Sequence, residues 1–229
     1  MTAHTAVSTV DDLSLEDFEQ ALERVHRVTR RTPLETSHYM AEVSGAPKVY
    51  LKCENLQRTG AYKLRGAYNR LLRLSPEERE RGVVAASAGN HAQGVAYAAR
   101  ELGIKATIFM PLGVALPKLQ ATRNYGADVR LEGSSFEETL AGARQFVQDT
   151  GAVFIAPFDH ISVIEGQGTV ALEMLDSAPD IETLVVAIGG GGLISGVAAA
   201  AKLQAAREGR EIRVIGVQSA NTAAFQPSL

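Results

Sequence analysis

From Val49 onward, short runs of β-branched and apolar residues alternate with longer alanine- and leucine-rich segments, and glycine or proline marks most junctions. This alternation is typical of parallel strands joined by right-handed helical crossovers. The strand candidates are 48–53, 83–86, 106–110, 128–132, 153–156, 183–188 and 213–218. The helix candidates are 63–74, 90–102, 115–125, 135–149, 164–177 and 192–207, preceded by a helix that starts after Ser14 and ends before Pro33. We therefore predict an α/β fold with open, mostly parallel twisted sheets and helices on both faces.

Composition narrows the classes of protein to which the chain can belong. Of its 229 residues, 45% are hydrophobic, which favours one large or two small folded domains over disorder. A formal net charge of −3 gives no electrostatic reason to expect nucleic acid or an anionic membrane as a partner. No stretch approaches the roughly 20 apolar residues of a membrane helix, and no secretory signal is visible. The single cysteine suits a reducing compartment, so we expect a cytoplasmic protein.

Four consecutive glycines separate a strand candidate from a helix candidate: Gly189, Gly190, Gly191 and Gly192. Such a run lets backbone N–H groups approach an anion, and the helix dipole favours negative charge there. A tight turn is the alternative, although it needs only one or two glycines. The dinucleotide fingerprint is incomplete because Ser195 takes the place of its third glycine and Gln218 ends the next strand candidate. With no Walker A lysine either, the run predicts a site for a single phosphate group.

Lys63 stands at a turn entering a helix candidate, between Tyr62 and Leu64. Burial and the helix dipole would both disfavour its charged form. Such a lysine can act as an amine nucleophile or a base near neutral pH. The alternative, a surface lysine whose stem lies along apolar neighbours, is the commoner fate of a single lysine.

A cluster of small and polar residues follows the strand candidate 83–86: Ser87, Ala88, Gly89, Asn90, His91, Ala92, Gln93 and Gly94. Ligands bind at the carboxyl ends of strands in open α/β sheets, and exposed N–H groups there suit a carboxylate. A simple helix cap by Ser87 or Asn90 is the alternative. His91 taken alone indicates a capping or partly buried histidine rather than a base.

Metal and hydrolase motifs are not found in the sequence. The histidines His4, His26, His38, His91 and His160 form no H-E-x-x-H pattern and no i, i+4 pair, and no serine stands in G-x-S-x-G. We therefore expect no metal site and no hydrolase elbow.

Taken together, the motifs resemble those of the fold-type-II pyridoxal-phosphate enzymes, whose fold is tryptophan synthase β-like, and among them the threonine dehydratases. The resemblance rests on the ENLQ-TG-A-Y-K-L-RGA run at 54–67, SAGNHAQG at 87–94, GQGT at 166–169 and GGGGLISG at 189–196, in the family's order. It covers the chain from about Thr32 to the C-terminus.

The resemblance implies a role for each matching residue. Lys63 corresponds to the lysine that binds pyridoxal 5'-phosphate covalently and later moves the substrate Cα proton. Asn90 corresponds to the residue that hydrogen-bonds the cofactor's ring hydroxyl. The phosphate loop corresponds to Gly189, Gly190, Gly191, Gly192 and Leu193. The loop that holds the substrate carboxylate corresponds to Ser87, Ala88, Gly89, Asn90 and His91.

Three positions depart from patterns found among relatives. Tyr62 replaces the usual phenylalanine and keeps an aromatic ring beside Lys63. Ala88 stands where serine racemases carry an acid/base serine, so elimination is favoured over racemisation. Gln218 stands where some relatives carry a metal-binding glutamate, which argues against a divalent cation.

The implied activity is a lyase reaction that converts L-threonine to 2-oxobutanoate and ammonia, in isoleucine biosynthesis or in catabolism. The alternatives are an L-serine dehydratase or serine racemase-like enzyme, and a non-catalytic fragment of the cofactor fold. The family's architecture implies a large cofactor domain at 1–67 and 158–229, incomplete at its C-terminus, and a small mobile domain at 68–157 that carries the carboxylate loop. A complete chain is expected to form a homo-oligomer.

Overall fold

The computed structural model describes residues 9–223, which form alternating helices and strands as the sequence predicts. The strands are β1 Leu34–Thr36, β2 Tyr50–Lys52, β3 Val83–Ala86, β4 Ala106–Met110, β5 Asp128–Leu131, β6 Val153–Phe154, β7 Thr183–Ala187 and β8 Arg213–Val217. The helices are α1 Leu15–Val25, α2 His38–Ser44, α3 Lys63–Leu72, α4 Pro76–Arg81, α5 Asn90–Leu102, α6 Leu116–Asn124, α7 Phe136–Thr150, α8 Ile161–Ser177 and α9 Gly192–Arg207. Short 3-10 turns lie at Val10–Asp12, Glu54–Leu56 and Ala220–Thr222. Within the described part of the chain, every helix is too short or too polar to cross a bilayer.

A four-stranded parallel sheet has the order β5-β4-β3-β6. Alternate residues of its central strands point to opposite faces, as the period of a strand requires. Ala85 and Ile108 pack in a core cluster with side chains of α3 and α5, whereas Val84 and Phe109 pack against α7. Both faces of this sheet are therefore covered by helices, which confirms the predicted α/β architecture.

Two smaller sheets are formed by strands that precede β3 or follow β6 in the sequence. β7 pairs in parallel with β8, and β1 pairs antiparallel with β2, the strand predicted at 48–53. Leu184 and Val186 of β7 pack in a second core cluster with α8 and α9, whereas Val185 on the opposite face is 68% exposed. Helices thus cover one face of the β7–β8 pair within residues 9–223.

Helix α8 packs against α3, which carries Lys63, and against α9, which follows the glycine run. A Cβ at Gly166 would lie 2.6 Å from Gly66 Cα, and one at Gly168 would lie 2.7 Å from Gly196 O. Glycine pairs at both crossings let α8 approach α3 on one side and α9 on the other with backbone in contact with backbone. The GQGT motif therefore sets the distance between the lysine and the glycine loop.

Some elements differ from the sequence prediction. β1, α2 and α4 were not predicted, and α8 begins three residues before its predicted start because the His160 side chain accepts a hydrogen bond from Ser162 N at 3.1 Å. The predicted division into 1–67 with 158–229 and 68–157 remains a prediction. Both ends of the predicted large domain, residues 1–8 with His4 and residues 224–229, lie outside the described residues.

Candidate active site

The loop after β3 lies at the carboxyl edge of the parallel sheet. Gly89 N donates to Ser87 Oγ at 3.2 Å, and Ala88 between them is exposed. Asn90 is the first residue of α5, and its Oδ1 accepts a hydrogen bond from Lys118 Nζ at 2.9 Å. The Gly89 N-cap contributes no side-chain hydrogen bond to α5, so backbone N–H groups of the first turn are left to bind a ligand.

His91 is buried beneath this loop, with 4% of its surface exposed. Its Nε2 lies 2.9 Å from Ile155 O, and because a carbonyl only accepts, Nε2 carries the proton. Burial, with a further contribution from the charge of Lys63, lowers the pKa of His91 to about 4. The imidazole is therefore neutral at pH 7, and it borders the loop as a buried, hydrogen-bonded ring rather than as a cation.

Lys63 is the first residue of α3 and is half-buried. Its Nζ donates to Pro157 O at 2.6 Å and lies 5.3 Å from the ring centre of Tyr62. Burial lowers the pKa of Lys63 below the ordinary lysine value, as the sequence analysis anticipated. Helix α5 passes close by, because a Cβ at Gly94 would lie 3.1 Å from the Lys63 carbonyl carbon. A half-buried amine thus lies beside the loop that begins α5.

The glycine run forms the turn between β7 and α9. Gly189 and Gly190 are exposed, Gly191 has φ +88°, and α9 begins at Gly192 without a side-chain cap. The half-buried Leu193 follows in the first turn. Because α9 is 16 residues long, its dipole and its uncapped N–H groups favour an anion at this end.

Phe158 closes one side of the glycine turn. A Cβ at Gly192 would lie 2.8 Å from Phe158 O, and one at Gly190 would overlap the Phe158 ring. Glycine is required at both positions for this contact. At Gly189, by contrast, a Cβ would meet no atom within 4 Å, so the turn is open on its outer side.

One short segment, 155–158, contacts all three motifs. Its backbone carbonyls bind His91 and Lys63, and Phe158 packs against the glycine turn. No sequence motif predicted this segment. Its one available signal was its place directly after β6, whose carboxyl end shares an edge with that of β3.

A buried ionic cluster is centred on Arg65, two residues after Lys63, and was also not predicted. The fully buried Arg65 binds Glu54 and Glu173, and Lys52 Nζ donates to Glu173 Oε2 at 2.7 Å. Burial opposes the charged form of Glu173, but hydrogen bonds and charge from Arg65 and Lys52 lower its pKa to about 2. The cluster anchors α3, and therefore Lys63, to β2 and α8.

These residues fit a phosphorylated aldehyde. The open glycine turn and uncapped α9 N-terminus suit its phosphate, and the half-buried Lys63 amine suits its carbonyl carbon. No group of three or more metal-binding side chains occurs in residues 9–223, and the expected absence of a metal remains a prediction.

Comparison with known proteins agrees with this geometry. A family model described as pyridoxal-phosphate dependent enzyme matches residues 25–229. An L-threonine ammonia-lyase of Thermotoga maritima is 51% identical over 217 residues, which are 95% of this chain and 53% of that protein. An L-threonine dehydratase of Staphylococcus aureus, named catabolic TdcB, is 44% identical over 96% of this chain and 63% of its own length. The chain thus spans about half to two thirds of these relatives.

Among solved structures, maize serine racemase superposes with a TM-score of 0.84 at 38% identity, over 89% of this chain and 60% of that one. The shared fold includes relatives with different reactions. The fold therefore does not separate elimination from racemisation, and individual site residues must do so.

Proposed function

This chain belongs to the pyridoxal-phosphate-dependent enzyme family, and we propose that it deaminates L-threonine to 2-oxobutanoate and ammonia. The observation that carries the proposal is the contact of segment 155–158 with the Lys63 amine, with His91 and with the glycine turn. The names of the relatives support the choice of substrate.

Each motif takes one task in this reaction. The N–H groups of Gly189–Leu193 would hold the cofactor phosphate, and Asn90 would hydrogen-bond the ring hydroxyl. Lys63 Nζ, whose pKa is lowered by burial, would bind the cofactor and accept the proton from the substrate Cα. When bound, pyridoxal phosphate supplies an electron sink for the negative charge that develops at that carbon.

The substrate carboxylate is held by backbone N–H groups of the Ser87–His91 loop. The His91 side chain does not supply a positive charge, because its pKa of about 4 leaves it neutral at pH 7 and its single N–H donates to Ile155 O. L-threonine then loses its β-hydroxyl as water. Water hydrolyses the resulting enamine, giving 2-oxobutanoate and ammonia.

Ala88 argues against a racemase. Racemisation requires a proton to be delivered to Cα from the face opposite Lys63, and an alanine side chain has no exchangeable proton. The hydroxyl of the neighbouring Ser87 instead accepts a hydrogen bond from Gly89 N. L-serine remains the alternative substrate, because the methyl group that distinguishes threonine is worth only about 1–3 kcal/mol of discrimination.

The decisive experiment measures 2-oxo acid and ammonia release from L-threonine and L-serine by the 229-residue chain supplied with pyridoxal phosphate. We expect a higher kcat/KM for threonine, loss of turnover in Lys63→Ala and retention in Lys105→Ala, whose lysine is exposed. Borohydride reduction should attach the cofactor to the Lys63 peptide alone. Turnover by Lys63→Ala would overturn the assignment. Cofactor attachment without ammonia release would favour the non-catalytic fragment instead.

Several finer properties remain part of the proposal. The similarity to a relative named catabolic favours a catabolic role over isoleucine biosynthesis. The cytoplasmic location and the homo-oligomer stay predictions from the sequence.

A further inference from the structure

Among residues 9–223, Lys118 is the one hydrogen-bond partner of the Asn90 side chain, and no sequence motif pointed to it. Its Nζ lies 2.9 Å from Asn90 Oδ1, across 28 residues of sequence. Lys118 is half-buried, whereas Asn90 is exposed at the site. The contact joins the start of α6 to the start of α5.

The position of Lys118 in its own helix is unfavourable for helix stability. Ala115 is the N-cap of α6, so Lys118 is the third helical residue, and the first turn contains no acidic residue. A cation in the first turn opposes the helix dipole. Nor does Lys118 take part in any of the ion pairs among residues 9–223. Neither the stability of α6 nor an ion pair with a carboxylate therefore explains the position of Lys118.

The chemistry of an ammonium group decides the orientation of the Asn90 amide. Lys118 Nζ has three donors and no acceptor, so only the amide oxygen can face it. The Asn90 Nδ2 group, which has two N–H donors, is consequently turned away from Lys118. Without this contact, the amide could rotate and present oxygen or nitrogen with similar energy.

We propose that Lys118 is a positioning residue that holds the Asn90 amide with its Nδ2 donor toward the ring hydroxyl of the cofactor. This inference rests on the proposed function, because it takes pyridoxal phosphate as the ligand and Asn90 as its ring contact. Lys118 acts through Asn90 and is assigned no contact with substrate or cofactor.

The test is a titration of the 229-residue chain with pyridoxal phosphate, followed by the absorbance of the bound cofactor. We expect Lys118→Met to weaken binding about three- to tenfold, the usual effect of losing one hydrogen bond. Lys118→Arg, which keeps a cationic donor, should restore most of the affinity. Lys105→Met is the matched control on an exposed lysine and should bind as the wild type does.

A double-mutant cycle separates positioning from a general structural effect. In the Asn90→Ala background, Lys118→Met should cause no further loss of affinity. An equal loss in both backgrounds, or wild-type affinity of Lys118→Met, overturns the inference. If thermal unfolding shows that Lys118→Met does not fold, Lys118→Ala, which also lacks a donor, takes its place in the same cycle.

The outcomes also separate this inference from its premise. A wild-type chain that does not bind pyridoxal phosphate overturns the proposed function and this inference with it. A wild-type chain that binds it, with Lys118→Met binding equally well, overturns the inference alone.

Discussion

Arg65 and Glu173 form a two-pronged ion pair, with Nη1 2.7 Å from Oε1 and Nη2 2.8 Å from Oε2. Both side chains are at most 1% exposed. Such a pair carries a large desolvation cost. This cost is offset here because Glu54 also binds Arg65 and Lys52 also binds Glu173. Since Arg65 is two residues after Lys63, the pair fixes the helix that carries the amine.

Replacement of one partner of this buried pair should destabilise the fold. We expect Glu173→Gln to lower the free energy of unfolding by about 3–5 kcal/mol, because the charges of Arg65 and Lys52 lose their shared counter-ion. Urea denaturation measures the change. Asp176→Asn in the same helix is the control: its exposed pair with Arg31 should contribute less than about 1 kcal/mol. Similar losses in the two variants would contradict a special role of the buried pair.

The Glu173 carboxylate should also determine part of the pH dependence of the free energy of unfolding. Its pKa is lowered from an ordinary value of 4.5 to about 2, so its contribution is fully present above pH 4.5 and is lost as the pH falls toward 2. Urea denaturation at pH 5, 4 and 3 should therefore show stability falling more steeply in the wild type than in Glu173→Gln. Parallel curves for the two chains would contradict this assignment.

The crossing of α3 and α8 should not tolerate a methyl group. A Cβ at Gly166 would lie 2.6 Å from Gly66 Cα and 2.7 Å from Arg65 O, and both are backbone atoms that cannot rotate away. We expect Gly166→Ala to lower the free energy of unfolding by at least about 1–3 kcal/mol. Gly113→Ala is the matched control, because a Cβ there meets no atom within 4 Å. Equal stability of the two variants would show that α8 can shift without cost.

The parts of the fold that were predictable are those with a local signature. Alternating apolar runs marked the strands of both parallel sheets, and the motifs at 87–94 and 189–196 marked the turns that follow β3 and β7. Helix α4, although not predicted, also has a local signature, since Ser75 and Glu78 form a capping box with Pro76 as the first helical residue.

Other features have no local signature. The carbonyls of Ile155 and Pro157 bind His91 and Lys63, and any residue at those positions would present the same atom. The Lys118–Asn90 contact depends on how two helices start at neighbouring strand ends. Strand β1, the unpredicted partner of β2, has only three residues and is too short to show a period. Such features require the tertiary arrangement.

The reactivity of Lys63 should differ from that of an ordinary lysine. Burial lowers its pKa, so its amine stays neutral and nucleophilic to a lower pH than the ordinary lysine pKa of about 10.4 allows. Competitive labelling with acetic anhydride across a pH series, read peptide by peptide, gives the titration midpoint of Lys63. The expected midpoint lies below that of N-acetyl-lysine amide labelled in the same tube.

Unfolding provides the control for this measurement, because burial is the named cause. In concentrated urea, the Lys63 midpoint should rise to that of the reference amine. It should fall again when urea is removed and the chain refolds. Attachment of pyridoxal phosphate requires the neutral amine, so the rate of attachment should decline as the pH drops through the midpoint measured by labelling. A folded-state midpoint at or above that of the reference would remove the physical basis for Lys63 as nucleophile and base near neutral pH.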